Sequence, residues 1–265
     1  MAKVILITGA SAGIGRACAD RLHQRGWTVV GASRRGSSTA GWSPMVMDVD
    51  DDESVKKGVA TIVGDYGRLD AVMAGAGWGL AGPVELTPIG EAKDQLETNF
   101  WGAVRVVQAA LPIMRRQGGG RVLLVSSIGG IVGIPFQAFY SASKFAMEGY
   151  GESLAYEVAP FGIHVTLVEP GNVRTDFTSS RRNVATADDD SYSSAVTKAV
   201  GLMERDEANG VEPDDVAVVV EKVLTSSRPR RRVSVGKRGE RVGIMAKRVL
   251  PYRLFETAAK SSLGV

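Results

Sequence analysis

Tyr140, Ser141, Ala142, Ser143 and Lys144 read YSASK, and Ser127 stands upstream at the end of the run RVLLVSS. A phenol and an amine four residues apart on a helix project from one face, one turn from each other. A free phenol releases its proton only near pH ~10, so it is a poor acid or base at neutral pH unless its anion is stabilised. An ammonium one turn away supplies that stabilisation, because a nearby opposite charge favours the ionised form. Tyr140 is therefore a candidate proton donor, Lys144 its tuner, and Ser127 a hydroxyl able to orient a substrate oxygen. Taken alone, the three are equally consistent with polar residues on an exposed helix. Their surroundings decide.

The chain opens MAKVILITGASAGIGRACADRL. Val4 to Ile7 is an aliphatic run short enough for a fully buried strand of a parallel sheet. A glycine-rich turn follows, then Ile14, Ala17, Cys18, Arg21 and Leu22 at helical spacing. Strand, glycine turn and helix in that order make a dinucleotide phosphate cradle, with the pyrophosphate at the positive end of the helix dipole. Gly9, Ser11, Gly13, Ile14 and Gly15 are its candidate residues. The spacing is Gly-x-x-x-Gly-x-Gly rather than the commoner Gly-x-Gly-x-x-Gly.

Taken together, TGASAGIG at Thr8–Gly15, Asn99 in LETNFWG, Ser127, YSASK and PGNVRT at Pro170–Thr175 resemble the short-chain dehydrogenase/reductase family. Order and separation agree over residues 1 to about 176. A weaker likeness, in SSIGG, GIPF and YSASKFAMEG, is to the steroid- and retinol-active branch. The resemblance implies a single-domain, doubly wound (Rossmann) α/β fold, a seven-stranded parallel sheet in the order 3-2-1-4-5-6-7 with helices on both faces. It also implies the catalytic set Asn99, Ser127, Tyr140 and Lys144, with Asn99 holding a water in a proton relay. Lys144 is then expected to hold the nicotinamide ribose as well. Asp48 and Val49 are implied to contact adenine, and Pro170, Gly171, Val173 and Thr175 the nicotinamide carboxamide. Where the family usually carries Asn-Asn-Ala-Gly after the fourth strand, this chain has Ala74, Gly75, Ala76 and Gly77, so the bonds of both asparagines must be replaced or absent.

NAD selectivity usually needs an acid about twenty residues beyond the glycines, bonding the adenosine ribose. Here the second strand ends in Ser33, Arg34 and Arg35, and no carboxylate appears before Asp48. Guanidinium binds phosphate bidentately, which an acid would repel. NADP(H) is expected in preference to NAD(H). The reaction that follows is interconversion of a carbonyl and a secondary alcohol by hydride transfer, with Ser127 bonding the substrate oxygen and Tyr140 as general acid or base. Trp78, Leu80, Phe136 and Phe139, together with Ile134, lie in segments expected to border the nicotinamide. They imply an apolar pocket for a steroid-, retinoid- or fatty-like ketone, over which Leu202 and Met203 could close.

The elements that must position these groups alternate along the chain as in a parallel sheet covered on both faces. Strands are expected near 3–7, 27–32, 44–47, 69–74, 121–126, 163–168 and 232–235. Helices are expected at about 13–25, from Asp50–Asp52 to Tyr66, from a Thr87 cap and Pro88 onward, at about 138–159, and after Pro213. Ligands in such sheets bind beyond the carboxyl ends of the strands, and every motif named above sits there. Residues 178 to about 195, with Asp188, Asp189 and Asp190, read as a polar loop within a substrate lid over about 176–211, ahead of a helical stretch Val196–Glu207.

With 265 residues, 44% hydrophobic and 23% charged, the chain can bury one substantial core. One cysteine, Cys18, excludes an intramolecular disulfide and agrees with a reducing compartment. The early strand leaves no room for a signal peptide and no apolar run approaches the ~18 residues of a membrane span, so a cytoplasmic protein is expected. No metal-ligand cluster is legible. The net charge is +3, but bases crowd the stretch of about 228–265. Without aromatic interleaving or a nucleic-acid module, that stretch reads as a solvated rim or subunit contact. No nucleic-acid partner is expected, and weak contact with an anionic membrane surface stays open. The family generally forms dimers or tetramers, which is the expectation here.

Two rival readings remain. Gly9 to Gly13 spells Gly-x-Ser-x-Gly, the nucleophile elbow of a serine hydrolase, with Ser11 as nucleophile and His164 as the one histidine far enough downstream. The other rival is a catalytically silent NADP-binding regulatory module, against which the intact Ser127, Tyr140 and Lys144 argue.

Overall fold

The computed structural model describes residues 2–36, 41–184, 190–251 and 253–257. Side chains alternate between the faces of its first strand, β1 (Val4–Thr8), every one of whose residues is buried. Val4 and Leu6 join one apolar cluster, Ile5 and Ile7 the other. This buried five-residue run needs cover on both faces, and a parallel sheet with helices on each side supplies it.

The strands β2 (Thr28–Ser33), β3 (Ser43–Val46), β4 (Ala71–Ala74), β6 (Gly120–Val125), β7 (Ile163–Pro170) and β9 (Arg232–Val235) join β1 in the order β3-β2-β1-β4-β6-β7-β9. Every pairing is parallel, for example Ile5↔Val29 and Ile5↔Ala71. This is the implied order of seven strands. On one face α2 (Asp52–Tyr66), α4 (Gly102–Arg116) and α5 (Ala138–Val158) bury Val59, Ile62, Val107, Met114, Met147 and Leu154 against Leu6, Val30, Val72, Val122 and Leu124. On the other, α1 (Gly13–Gln24) and α8 (Pro213–Thr225) bury Cys18, Leu22, Val216 and Val220 against Ile5, Ile7, Met73 and Leu123.

Helix boundaries follow their local chemistry. Asp51 caps α2 by accepting from the Glu53 and Ser54 N–H groups at 2.8 and 3.3 Å. Asp215 closes the start of α8 by accepting the Glu212 N–H at 3.0 Å. Three expectations need correction. Thr87 does not cap the third helix: its hydroxyl donates to the Pro83 carbonyl at 2.7 Å, and α3 (Ile89–Leu96) starts after Pro88. That helix is also not uniform, because a π-helical turn over Glu97–Trp101 separates α3 from α4. Finally, 178–195 is not one polar loop. It contains the end of α6 (Phe177–Ser180), the strand β8 (Arg182–Asn183) and the start of α7 (Asp190–Ala208); Asp188 and Asp189 lie outside the described residues. β8 pairs in parallel with β5 (Leu80–Ala81) in a small second sheet that the sequence did not announce.

Candidate active site

The site is assembled at the carboxyl ends of β1, β4, β6 and β7, where a doubly wound sheet opens a crevice. β1 runs into the glycine turn. A Cβ on Gly15 would overlap the Gly9 carbonyl oxygen, so only glycine lets α1 begin so close to the strand. The amino end of α1 has no side-chain cap and no acid in its first turn, leaving its positive end for an external anion. This open cradle is the structural test for a dinucleotide pyrophosphate, and the residues fit it.

The flanks agree with that fit. Arg34 and Arg35 are exposed in the turn after β2, and the Arg35 Nη2 reaches the Ser11 hydroxyl at 3.4 Å. The Arg35 guanidinium thus stands beside the cradle, and Arg34 is exposed next to it in the same turn. Ser33 is turned into the turn itself, accepting the Gly36 N–H at 3.1 Å. Asp48 accepts the Asp50 N–H at 3.1 Å, and Val49 is buried next to Gly102. After β4, the Thr8 hydroxyl accepts the N–H groups of Gly75 and Ala76 at 3.1 and 3.3 Å. Thr8 therefore ties the Ala74–Ala76 segment to β1 without either asparagine side chain.

Past β7, Ser127 Oγ meets the Pro170 carbonyl at 3.5 Å, and Thr175 packs against Gly13. One expected donor in this segment, the Gly171 N–H, is already engaged, while the Thr175 hydroxyl is engaged as an acceptor only. The Gly171 N–H bonds Val235 O at 2.8 Å, and the Thr175 hydroxyl accepts the Phe177 N–H at 3.2 Å. The bonds to Val211 run through Asn172 and Arg174, leaving the Val173 N–H outside them.

Ser127, Tyr140, Lys144 and Asn99 are brought together and all are buried. Tyr140 and Ser127 lie side by side, and the Gly129 N–H fixes Ser127 Oγ at 3.0 Å. A Cβ on Gly129 would stand 3.2 Å from the Tyr140 ring and 3.4 Å from Ser127 Oγ, so glycine there permits the pair. The Lys144 Nζ donates to the Val125 carbonyl at 2.8 Å and lies 5.8 Å from the Tyr140 ring centroid. Asn99 sits on the π-helical turn, a feature frequent at functional sites. Its Nδ2 reaches Ser143 Oγ at 3.3 Å, and Ser143 in turn donates to the Tyr140 carbonyl at 2.7 Å.

Burial pushes the Tyr140 phenol above its usual range; the Ser127 hydroxyl acts against this, the Glu207 carboxylate adds to it, and Arg181 opposes it. Burial brings the Lys144 ammonium down to about 8, against the pull of Glu148. The expectation that Lys144 depresses the Tyr140 phenol is therefore not met in this structure. Desolvation sets the direction, and the lysine's ammonium is turned toward the Val125 carbonyl.

Of the apolar candidates, Leu80 is fully buried in β5, while Trp78, Phe136 and Phe139 are half-buried. Arg182 stacks its guanidinium 4.3 Å over the Trp78 ring. Phe136 holds a left-handed backbone, φ 58°, rare for a bulky residue, and its carbonyl accepts the Gly82 N–H at 2.8 Å. Sequence reasoning missed three neighbours of Tyr140: Phe177, with ring centroids 5.8 Å apart, and the buried ion pair Arg181–Glu207. Glu207 also accepts the Thr178 hydroxyl at 2.5 Å. Their signal was DFTSSRR directly after Thr175, set aside as loop.

The hydrolase reading fails on placement. His164 lies at the start of β7, paired with Arg121, at the amino edge of the sheet, while Ser11 follows the carboxyl end of β1. The two stand on opposite edges, and no relay joins them.

A dinucleotide cradle and a buried Ser–Tyr–Lys cluster on this sheet define a class, and a family model described as short chain dehydrogenase matches residues 3–185. The chain belongs to that family, the oxidoreductases that act on alcohols and ketones. It is 39% identical over 260 residues to 3-ketodihydrosphingosine reductase of Bacteroides thetaiotaomicron, covering 97% of each chain. It is 37% identical to retinol dehydrogenase 8 of Bos taurus, over 88% of this chain and 81% of that one. A short-chain dehydrogenase structure from Streptomyces avermitilis superposes with a TM-score of 0.83 at 31% identity, over 99% of this chain and 97% of the other.

Proposed function

We propose that this protein is an NADP(H)-dependent reductase of an apolar, long-chain ketone, with Tyr140 as the proton donor. The observation that carries this reading is the buried cluster of Ser127, Tyr140 and Lys144, with the Gly129 N–H fixing Ser127 Oγ beside the Tyr140 ring. Gly9 to Gly15 would hold the pyrophosphate, Arg34 and Arg35 the additional phosphate, and Lys144 with the Pro170–Thr175 segment the nicotinamide end. When bound, the reduced nicotinamide supplies hydride to a carbonyl carbon. The residues of this chain do the rest. Ser127 Oγ donates a hydrogen bond to the carbonyl oxygen, and the Tyr140 hydroxyl transfers its proton to that oxygen as negative charge grows there. A phenol held above its usual range by burial stays protonated at neutral pH, which suits donation and hence reduction. Lys144 supplies positive charge as the phenolate forms, and Asn99 positions the chain beneath Tyr140 through Ser143.

The fatty-like alternative among the expected ketones is supported by the relative named for 3-ketodihydrosphingosine, a ketone on an alkyl chain. Phe177 beside Tyr140, with half-buried Trp78, Phe136 and Phe139, supports an apolar substrate wall. The segment 176–211 is read as its lid, a homodimer or homotetramer through α4 and α5 as the assembly, and the cytoplasm as its compartment. Among the described residues no helix is long and apolar enough to cross a membrane.

A panel of long-chain 3-ketones, steroid ketones and retinal, read by NADPH absorbance, tests the reading. Tyr140→Phe should lower kcat by roughly 10³-fold while NADPH binding, followed by fluorescence, stays within about twofold. Near-normal turnover of that variant would remove Tyr140 from the chemistry.

A further inference from the structure

The last described helix, α9 (Arg238–Val249), is amphipathic in the wrong sense for a soluble surface. Its inward side is polar-anchored and narrow: Ile244 is buried, the Glu240 carboxylate accepts from the Asn172 N–H and Nδ2 at 3.0 and 2.7 Å, and Lys247 donates to the Ile131 carbonyl. Its outward side carries Val242, Met245 and Val249, at i, i+3 and i+7, which are 66%, 57% and 75% exposed. Leu250 and Leu254 continue the exposed apolar surface beyond the helix. Arg238 and Arg241 flank the stripe and are exposed, as are Lys237 and Arg253 nearby. A contiguous apolar stripe of this kind marks an interaction site.

We propose that this face docks on an anionic lipid bilayer, with α9 lying in the interfacial plane. A helix with a cationic rim and an apolar stripe suits that position, the apolar side chains entering the acyl boundary and the arginines meeting lipid phosphates. Charge selects this occupant over a second copy of the chain. An isologous contact would bring two copies of the same cationic rim, which has no outward-facing acid in the helix, into one interface, whereas an anionic surface complements it. Glu240, the acid within the helix, is turned inward onto Asn172 and the Lys237 N–H. The basic stretch of the C-terminal region is thereby divided. Arg228, Arg230 and Arg231 precede β9 at the opposite edge of the sheet and take no part.

The inward contacts of α9 fall on Gly171, Asn172 and Ile131, in the segments that follow β7 and β6. Docking through α9 therefore brings the carboxyl edge of the sheet, with Tyr140, toward the lipid. That consequence for substrate entry rests on the proposed reductase activity; the docking itself does not.

Flotation of the purified full chain with vesicles tests it without any turnover measurement. The chain should float with vesicles of phosphatidylglycerol and phosphatidylcholine and not with phosphatidylcholine alone, and added salt should weaken the association. The triple variant Val242→Ser, Met245→Ser, Val249→Ser should lose at least roughly tenfold in partitioning. Arg238→Glu with Arg241→Glu should lose more than about fivefold per position and its dependence on anionic lipid. Circular dichroism verifies that both variants fold. Absence of wild-type flotation, or flotation of both variants like wild type, overturns the proposal. A dimer in size-exclusion that the triple serine variant converts to monomer, with no vesicle binding, assigns the stripe to a second copy and also overturns it.

Discussion

Asn99 holds Trp78 by both ends of its amide: Oδ1 accepts the Trp78 N–H at 3.0 Å, and Nδ2 donates to the Trp78 carbonyl at 3.0 Å. The same Nδ2 reaches Ser143 on α5, so one buried side chain ties the segment after β4 to the helix bearing Tyr140. Only the π-helical turn sets Asn99 there, since the extra residue rotates the helix face between α3 and α4.

Asn99→Ala should therefore lower stability by about 2–3 kcal/mol, because it removes both bonds to Trp78 and the one to Ser143, and orphans the Trp78 N–H. The Trp78 carbonyl keeps its bond from Gln95 Nε2 at 2.7 Å, which limits the loss. Urea titration measures it. A change below about 0.5 kcal/mol means that the clasp does not stabilise the native state.

Arg34 and Arg35 yield a prediction about cofactor choice. Arg35→Ala should weaken NADPH by roughly 10-fold or more while leaving NADH nearly unchanged, since a charge-assisted bond to phosphate contributes about 1.5–3 kcal/mol. Arg34→Asp should go further and favour NADH, because a carboxylate repels the extra phosphate and bonds ribose hydroxyls. The ratio of kcat/KM for the two cofactors is the readout. Retained preference for NADPH in Arg34→Asp takes that arginine out of the selection.

Much of this was legible before any coordinates. The order of the seven strands and the meeting of Ser127, Tyr140 and Lys144 came from the family resemblance, since alternation alone gives only a doubly wound sheet; the glycine turn follows from strict local backbone demands. Gly15, for example, has no room for a side chain. The environment of Tyr140 was not legible, because desolvation depends on what covers the phenol, and its cover comes from Phe177 and the Arg181–Glu207 pair far along the chain. Polar composition over 178–195 suggested a loop, yet backbone pairing of Arg182 and Val184 with Gly79 and Ala81 orders β8 whatever its side chains are. Thr87 failed as a cap for a similar reason: the Pro83 carbonyl competes for its hydroxyl.

Lys144 gives a pH signature in stability. Burial lowers its ammonium to about 8, whereas the unfolded chain keeps that proton to pH ~10.4. Between these values the unfolded state binds the extra proton, so raising the pH stabilises the folded state; below about 8 both states are charged and the full penalty stands. The Tyr140 phenol, raised above its usual range, opposes folding only at still higher pH. Subtracting the Lys144→Met curve from wild type should therefore leave a rise of about 3 kcal/mol across this window, on top of a pH-independent offset from the lost bond to Val125. A flat difference curve means that Lys144 is not desolvated in the folded protein.

Arg181 and Glu207 should behave as a unit. The Arg181 side chain is 1% exposed, its Nη2 is paired with Glu207, and its Nε and Nη1 find no acceptor among the described residues. Removing one partner strands a buried charge, so Glu207→Gln should cost about 3–5 kcal/mol, while Arg181→Met with Glu207→Gln should recover most of it. The carboxylate also raises the Tyr140 phenol, and the guanidinium lowers it. In Glu207→Gln the phenol should ionise at lower pH, moving the alkaline limb of ketone reduction downward; in Arg181→Met it should move upward. Denaturation of the three variants, with pH–rate profiles of each, separates the effects. Additive stability losses and unmoved alkaline limbs mean that the pair neither couples nor reaches the phenol.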